Sequence, residues 1–229
     1  MNAVAGGGTF LTFPSLTFSG LSLLSANATS TVALWPGTVS SAIALRQQWG
    51  TYRSRLAGYL LISLFGGLAG ALLLLRLSSD TLGDVFPYLL LTATLLFAFK
   101  SRLEKQQTAE RPSPAWLQTL VLLLVAIYGG FFGGGMGIMM MAMFSLLGMT
   151  DVRNANALKV LLTVVVNGIS VVTFIVADVI VWPSALVMVG GSILGGYVGA
   201  VYARRVSPQR LRIIIVSIGL ILTVYFFLR

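Results

Sequence analysis

The sequence predicts an all-α polytopic membrane protein made of two inverted repeats, each a glycine-rich broken or hairpin segment followed by three transmembrane helices. Three observations predict it. The chain of 229 residues is 57% hydrophobic and only 9% charged, whereas soluble domains carry about 25% charged residues. Its uncharged runs are long: Ala3–Leu45, Leu56–Leu75, Ala115–Met149, Val160–Ala177 and Val179–Ala203 hold no Asp, Glu, Lys or Arg. A helix needs roughly 20 apolar residues to span the hydrocarbon, so several of these runs supply spans. Finally, short motifs return along the chain at one constant offset.

In chain order, segment 3–24 is apolar but opens on Gly6-Gly7-Gly8. No basic region followed by an apolar run precedes these glycines, so no cleavable signal peptide is expected. Helices follow near 27–45, 56–75 and 82–99. Segment 115–149 contains the run from Gly129 to Gly137, seven of whose positions are glycine or methionine. Glycine costs roughly 1 kcal/mol relative to alanine inside a helix, so this run is expected to break at membrane depth. Such a break needs cover from protein or from a water-filled cavity. Helices near 157–177, 183–203 and 211–228 complete the chain.

The repeat is read from motifs. Ala26-Asn27-Ala28 recurs at Ala155-Asn156-Ala157, 129 positions on, and Ser63, Gly66, Gly67 and Gly70 recur at Ser192, Gly195, Gly196 and Gly199. Arg76, Ser78 and Leu82 recur as Arg205, Ser207 and Leu211. The glycine triplets align at 127, which places a two-residue insertion or deletion after them. The expected units are an N-terminal repeat over 1–99, a linker over 100–114 and a C-terminal repeat over 115–229. Internal repeats of this kind are typical of transporter folds.

Charge sets the orientation. If segment 115–149 turns back at its glycines, loops 46–55, 100–114, 150–159 and 203–212 share one side. That side then holds 13 of the 15 Lys and Arg residues, leaving Arg76 and Arg229 opposite. The asymmetry favours the hairpin, makes those four loops cytoplasmic in the inner cell membrane, and inverts the halves relative to each other.

Several function classes fall away. The net charge of +9 does not imply nucleic acid, because the basic residues cluster at the ends of apolar runs. There is no cysteine and no histidine, which removes thiolate chemistry and the commonest metal ligand and acid–base group. No metal or other cofactor is expected. Neither glycine cluster continues into Gly-Lys-Ser/Thr, so neither is a nucleotide loop. Thr81-Leu82-Gly83-Asp84 breaks the Gly-x-Gly-Asp pattern of an intramembrane aspartyl protease, and no enzyme is expected.

The candidate site is polar chemistry inside apolar spans. The backbone of Gly6, Gly7, Gly8 and of Gly133, Gly134, Gly135 either offers N–H groups to an anion beside a helix N-terminus or allows close helix packing. Asn27 and Asn156, at the same repeat position, either donate to a bound oxyanion, together with Thr29 and Ser30, or hydrogen-bond between helices. Lys159 either pairs with a substrate charge or snorkels to the cytoplasmic surface. Asn167, inside a helix, and Pro14, after the first glycines, complete the set. Gly66-x-x-x-Gly70 and Gly195-x-x-x-Gly199 read as packing faces. Met136–Met143, Trp35 and Trp182 read as packing and interface residues, and Pro36-Gly37 as a kink.

Together these motifs resemble the sulfite exporter TauE/SafE family. The resemblance rests on Ala5-Gly6-Gly7-Gly8, Pro14-Ser15-Leu16, Gly20 and Ala26-Asn27-Ala28-Thr29-Ser30 in the first half. In the second half it rests on Gly133–Gly137, Ala155-Asn156-Ala157-Leu158-Lys159 and Gly195–Ala200 followed by Arg204-Arg205. It implies a permease or exporter of small anions such as sulfite or organosulfonates, working by alternating access. The alternative is a non-transporting membrane partner of the same family. Members carry an apolar stretch ahead of the first glycine cluster, as Ala115–Tyr128 stands ahead of the second, so here the first hairpin is expected to hold only its return arm. Pro14 also has no counterpart, since Met141 occupies that place in the second half.

Overall fold

The computed structural model describes residues 8–105, 114–146, 149, 151–203 and 208–228. Among these are nine α-helices: α1 (Thr9–Phe18), α2 (Leu23–Ala44), α3 (Arg53–Arg76), α4 (Ser79–Lys105), α5 (Ala115–Phe131), α6 (Met136–Leu146), α7 (Val152–Val176), α8 (Trp182–Ala203) and α9 (Pro208–Phe227), with a short 3₁₀ segment Arg46–Tyr52. Arg55–Arg76 and Val152–Val176 are each long and apolar enough to cross a membrane.

The ends have local causes. Gly20, at φ +93°, turns the chain between α1 and α2, and the Ser22 hydroxyl accepts the Ser25 N–H to cap α2. The Asp151 carboxylate accepts N–H groups from Arg153 and Asn154, which starts α7 five residues ahead of the expected 157. Helix α2 stays continuous through Pro36. The glycine-rich break is narrower than the composition suggests, lying between Phe131 and Met136. Gly129 and Gly130 remain helical because packing uses them: a Cβ on Gly130 would lie 2.1 Å from the Gly67 carbonyl oxygen.

Chain direction follows from cross-helix contacts. Trp35 Nε1 donates to the Val164 carbonyl at 3.1 Å, and the Val181 N–H donates to Thr29 Oγ1 at 3.1 Å. These two contacts make α2 and α7 antiparallel. The Tyr59 hydroxyl meets Gln118 Oε1 at 3.4 Å, and Gly66 and Gly70 face Ala126 and Ile127, so α3 and α5 run parallel. Tyr88 packs on Phe227 and Thr94 on Gly219, so α4 and α9 are antiparallel.

It follows that α5 enters from the end holding Arg46–Tyr52, and α7 starts at that same end. Between them α6 lies back against α5, with Leu122, Val125 and Ala126 in one core cluster with Met140, Met143 and Phe144. A second cluster, at the other end, gathers Phe10, Phe13, Phe86, Phe131 and Phe132.

Candidate functional site

A small cavity of about 40 Å³ lies where α1, α2, the α5–α6 break and α7 meet. Helix α2 contributes Thr31, Leu34 and Thr38, and α7 contributes Lys159, Val160, Thr163 and Asn167. Thr9 of α1 and Gly133, Met136 and Gly137 at the break complete it. The lining positions recur at helical spacing, 31, 34, 38 on one helix and 159, 163, 167 on the other, which puts each set on one face.

Lys159 is 8% exposed. Its stem lies over Gly137, where an added Cβ would meet Cδ at 3.5 Å. The lysine therefore lines the cavity instead of snorkelling to a surface. Glycine lets α6 begin against it, and Gly133 and Gly135, at φ +76° and +79°, supply the left-handed turn that precedes α6. The first turn of α6, whose Met136, Ile138 and Met139 N–H groups donate to the Gly133 and Gly135 carbonyls, brings a partial positive charge to the same cavity. A cation, an amide and a helix N-terminus converge beside three threonine hydroxyls, whose protons are held by the Asn27, Leu34 and Lys159 carbonyls. The cation and the amide suit a small oxyanion.

The other expected site residues divide. Gly6 and Gly7 lie outside the described residues. Gly8 accepts the Thr12 hydroxyl at 3.1 Å, and Thr12 meets Ser30 at 2.5 Å, tying α1 to α2. Pro14 is buried within α1. Asn27 donates to the Phe131 carbonyl at 2.8 Å, which caps the broken end of α5. Thr29 accepts the Val181 N–H. The Gly134 carbonyl accepts the Tyr128 hydroxyl at 2.6 Å, and Gly135 packs on Ala93 of α4. Asn156 is half-buried on α7 and is not among the residues lining the cavity. Of the expected set, Gly133, Lys159 and Asn167 line the cavity, Gly134 and Gly135 shape its turn, and Asn27, Thr29 and Ser30 join the segments around it. Thr31, which follows Asn27, Thr29 and Ser30 in the polar run of α2, lines the cavity, whereas sequence reasoning missed Thr9, Thr38 and Thr163. For Thr163 the four-residue spacing with Lys159 and Asn167 was the available signal.

A larger open crevice of about 680 Å³ lies at the opposite end from Arg46–Tyr52, lined by Thr17 and the α1–α2 turn, by Asp80, Asp84 and Tyr88 of α4, and by Phe226 and Phe227 of α9.

The family model described as sulfite exporter TauE/SafE matches residues 1–226. The chain belongs to the TauE/SafE family. Among its curated relatives, a probable membrane transporter protein of Haemophilus influenzae is 30% identical over 233 residues, covering 97% of this chain and 88% of that protein. The probable membrane transporter protein ORF9 of a Sinorhizobium species is 27% identical, covering 96% and 85%. The probable membrane transporter protein YfcA of Escherichia coli K12 is 25% identical, covering 97% and 83%. No solved structure matches the chain. This TauE/SafE protein is accordingly a multi-pass membrane transporter and not an enzyme.

Proposed function

We propose that this TauE/SafE protein moves a small anion, a sulfur oxyanion or organosulfonate, by alternating access around the Lys159 cavity. The observation that carries the anion reading is the buried Lys159 among threonine hydroxyls at the N-terminus of α6. Half-helix N-termini pointed at an anion near the midplane are a recurring transporter device. The cavity has room for a few waters, one water needing about 10–15 Å³, so a sulfonate binds in a widened form.

The two halves act as inverted repeats, each with a glycine-led hairpin. The cavity lining supports this reading. Thr31, Leu34 and Thr38 stand 129 positions before Val160, Thr163 and Asn167, and Thr9 stands 127 before Met136; all eight line the cavity. Trp35 likewise bonds across the helix pair to residue 164, its own repeat mate. Such a pattern arises when a local two-fold axis passes through the site, and α2 and α7, being antiparallel, fit an axis in the membrane plane. The Arg46–Tyr52 end is cytoplasmic by the positive-inside rule.

The test is efflux from loaded proteoliposomes against a panel of sulfite, organosulfonates and carboxylates, with Lys159→Met beside the parent. Sulfur oxyanions leave faster than carboxylates, and Lys159→Met weakens apparent affinity roughly 10- to 100-fold, the loss of one hydrogen bond to a charged group. No movement of any anion, or an unaltered Lys159→Met profile, rejects the proposal.

A further inference from the structure

Two cavities flank α1, and one face of that helix touches both. Thr9 lines the Lys159 cavity and Thr17 lines the open crevice. Residues 9, 13 and 17 are four apart, so they share a face, with Phe13 midway. Two turns of helix, about 12 Å, separate the cavities along this face.

Phe13 fills that interval. It is fully buried, its ring stacks on Phe86 of α4 with centroids 4.9 Å apart, and it meets Phe132 edge-on at 5.8 Å. Phe86 also meets Phe132 at 5.5 Å, so the three rings close a triangle. On the crevice side Phe13 touches Phe226, a crevice-lining residue, at 6.0 Å. On the other side Phe132 adjoins Gly133, a cavity-lining residue. The rings therefore form a continuous contact path from one cavity to the other.

We propose that the Phe13–Phe86–Phe132 cluster is the gate between the crevice and the Lys159 cavity, closed in this structure. This rests on the Lys159 cavity being the anion site. Three packed rings leave no polar group for a hydrated anion, and apolar constrictions of this kind close by excluding water. The rings sit on three independent elements: α1, α4 and the break. Phe132 directly precedes the turn that holds the positive-φ glycines Gly133 and Gly135. Rotation about that turn withdraws one ring without moving α4. α1, only ten residues long and joined to α2 through Gly20, can withdraw the second.

The test reads accessibility and not transport, so it stands apart from the anion reading. The chain has no native cysteine. A cysteine at Asp84, exposed in the crevice, reports the reagent's side, and a cysteine at Thr9 reports the inner cavity. With a charged, membrane-impermeant methanethiosulfonate applied from the crevice side, Asp84→Cys labels quickly and Thr9→Cys labels at least 10-fold more slowly. Adding Phe13→Ala to Thr9→Cys raises its rate at least 10-fold, while Phe13→Trp leaves it protected. Phe86→Ala opens the same barrier from α4 and serves if Phe13→Ala does not accumulate. Thr9→Cys labelling as fast as Asp84→Cys in the parent overturns the gate. So does unchanged labelling in the alanine variants while Asp84→Cys still reacts in them. If anion efflux is absent but the labelling pattern holds, the anion reading fails and the barrier stands.

Discussion

The contact between α3 and α5 is close enough to give a stability prediction of definite sign. A Cβ on Gly70 would fall 2.0 Å from the Ile127 carbonyl oxygen and 2.7 Å from the Phe131 nitrogen. Carbon and oxygen rest at about 3.3–3.6 Å, so Gly70→Ala forces the helices apart by roughly 1 Å or more. Both opposing atoms are backbone, so no side-chain rotation relieves the clash. Overpacking costs about 1–3 kcal/mol, and a backbone clash belongs at the upper end. For a chain of this size each kcal/mol lowers the melting temperature by about 2–4 °C, giving a fall of roughly 6–12 °C. Gly58, on the same helix, has nothing within 4 Å of its added Cβ. Gly58→Ala should gain helix propensity, up to about 1 kcal/mol, and hold or raise the melting temperature. Thermal unfolding of both variants in the same detergent, followed by tryptophan fluorescence, makes the comparison. If Gly70→Ala melts with Gly58→Ala, the α3–α5 contact is not the packing face described.

Further outcomes follow from single contacts. Tyr128→Phe removes the hydroxyl on the Gly134 carbonyl; it should cost about 1 kcal/mol and speed proteolysis at the break, whereas unchanged cleavage means the turn needs no such tie. Asn27→Leu leaves the Phe131 carbonyl without its donor and should destabilise by about 1–3 kcal/mol, measured by thermal unfolding; a neutral result shows that another donor takes over. Cysteines at Gln47 and Arg153 should react with an impermeant thiol reagent from one face, and one at Ser78 from the other; opposite labelling of Gln47→Cys and Arg153→Cys refutes the returning hairpin. Gly137→Leu, which projects a side chain onto the Lys159 stem, should abolish anion efflux while leaving the melting temperature within about 2 °C; retained efflux shows that the stem yields.

What was legible in the sequence depended on the kind of signal. The spans were legible because uncharged runs of spanning length have few alternatives; some of their ends moved, as where the Asp151 cap starts α7 early and where α4 runs on to Lys105. The break at Gly133–Gly135 was legible as glycine density, but its width was not. Gly129 and Gly130 carry the same composition and serve packing, Gly129 against Met136 and Val166 and Gly130 against Gly67, a partner about sixty residues away that no local pattern discloses. Lys159 and Asn167 were visible as polar groups inside apolar runs. Thr38 and Thr163 were not, since threonines in membrane helices usually bond their own helix, as both do here and Thr31 does as well. The aromatic cluster was invisible, because its rings come from three distant segments and a phenylalanine inside an apolar run carries no local mark.

The proposed repeat also explains why the site is asymmetric. Under the offset of 129, the mate of Lys159 is Ser30. Ser30 is fully buried and engaged with Thr12, where it ties α1 to α2. Lys159 instead lies over Gly137 at the start of α6. A symmetric pair of lysines would place two like charges around one small cavity, where they repel each other. One lysine and one serine give the cavity a single positive centre, matched to one small anion. Ser30→Lys should therefore impair anion movement as severely as Lys159→Met, since the second cation breaks the Thr12 contact and repels the first. Efflux from proteoliposomes checks it, and a Ser30→Lys protein that moves anions as well as the parent would refute the idea that asymmetry sets the charge of the site.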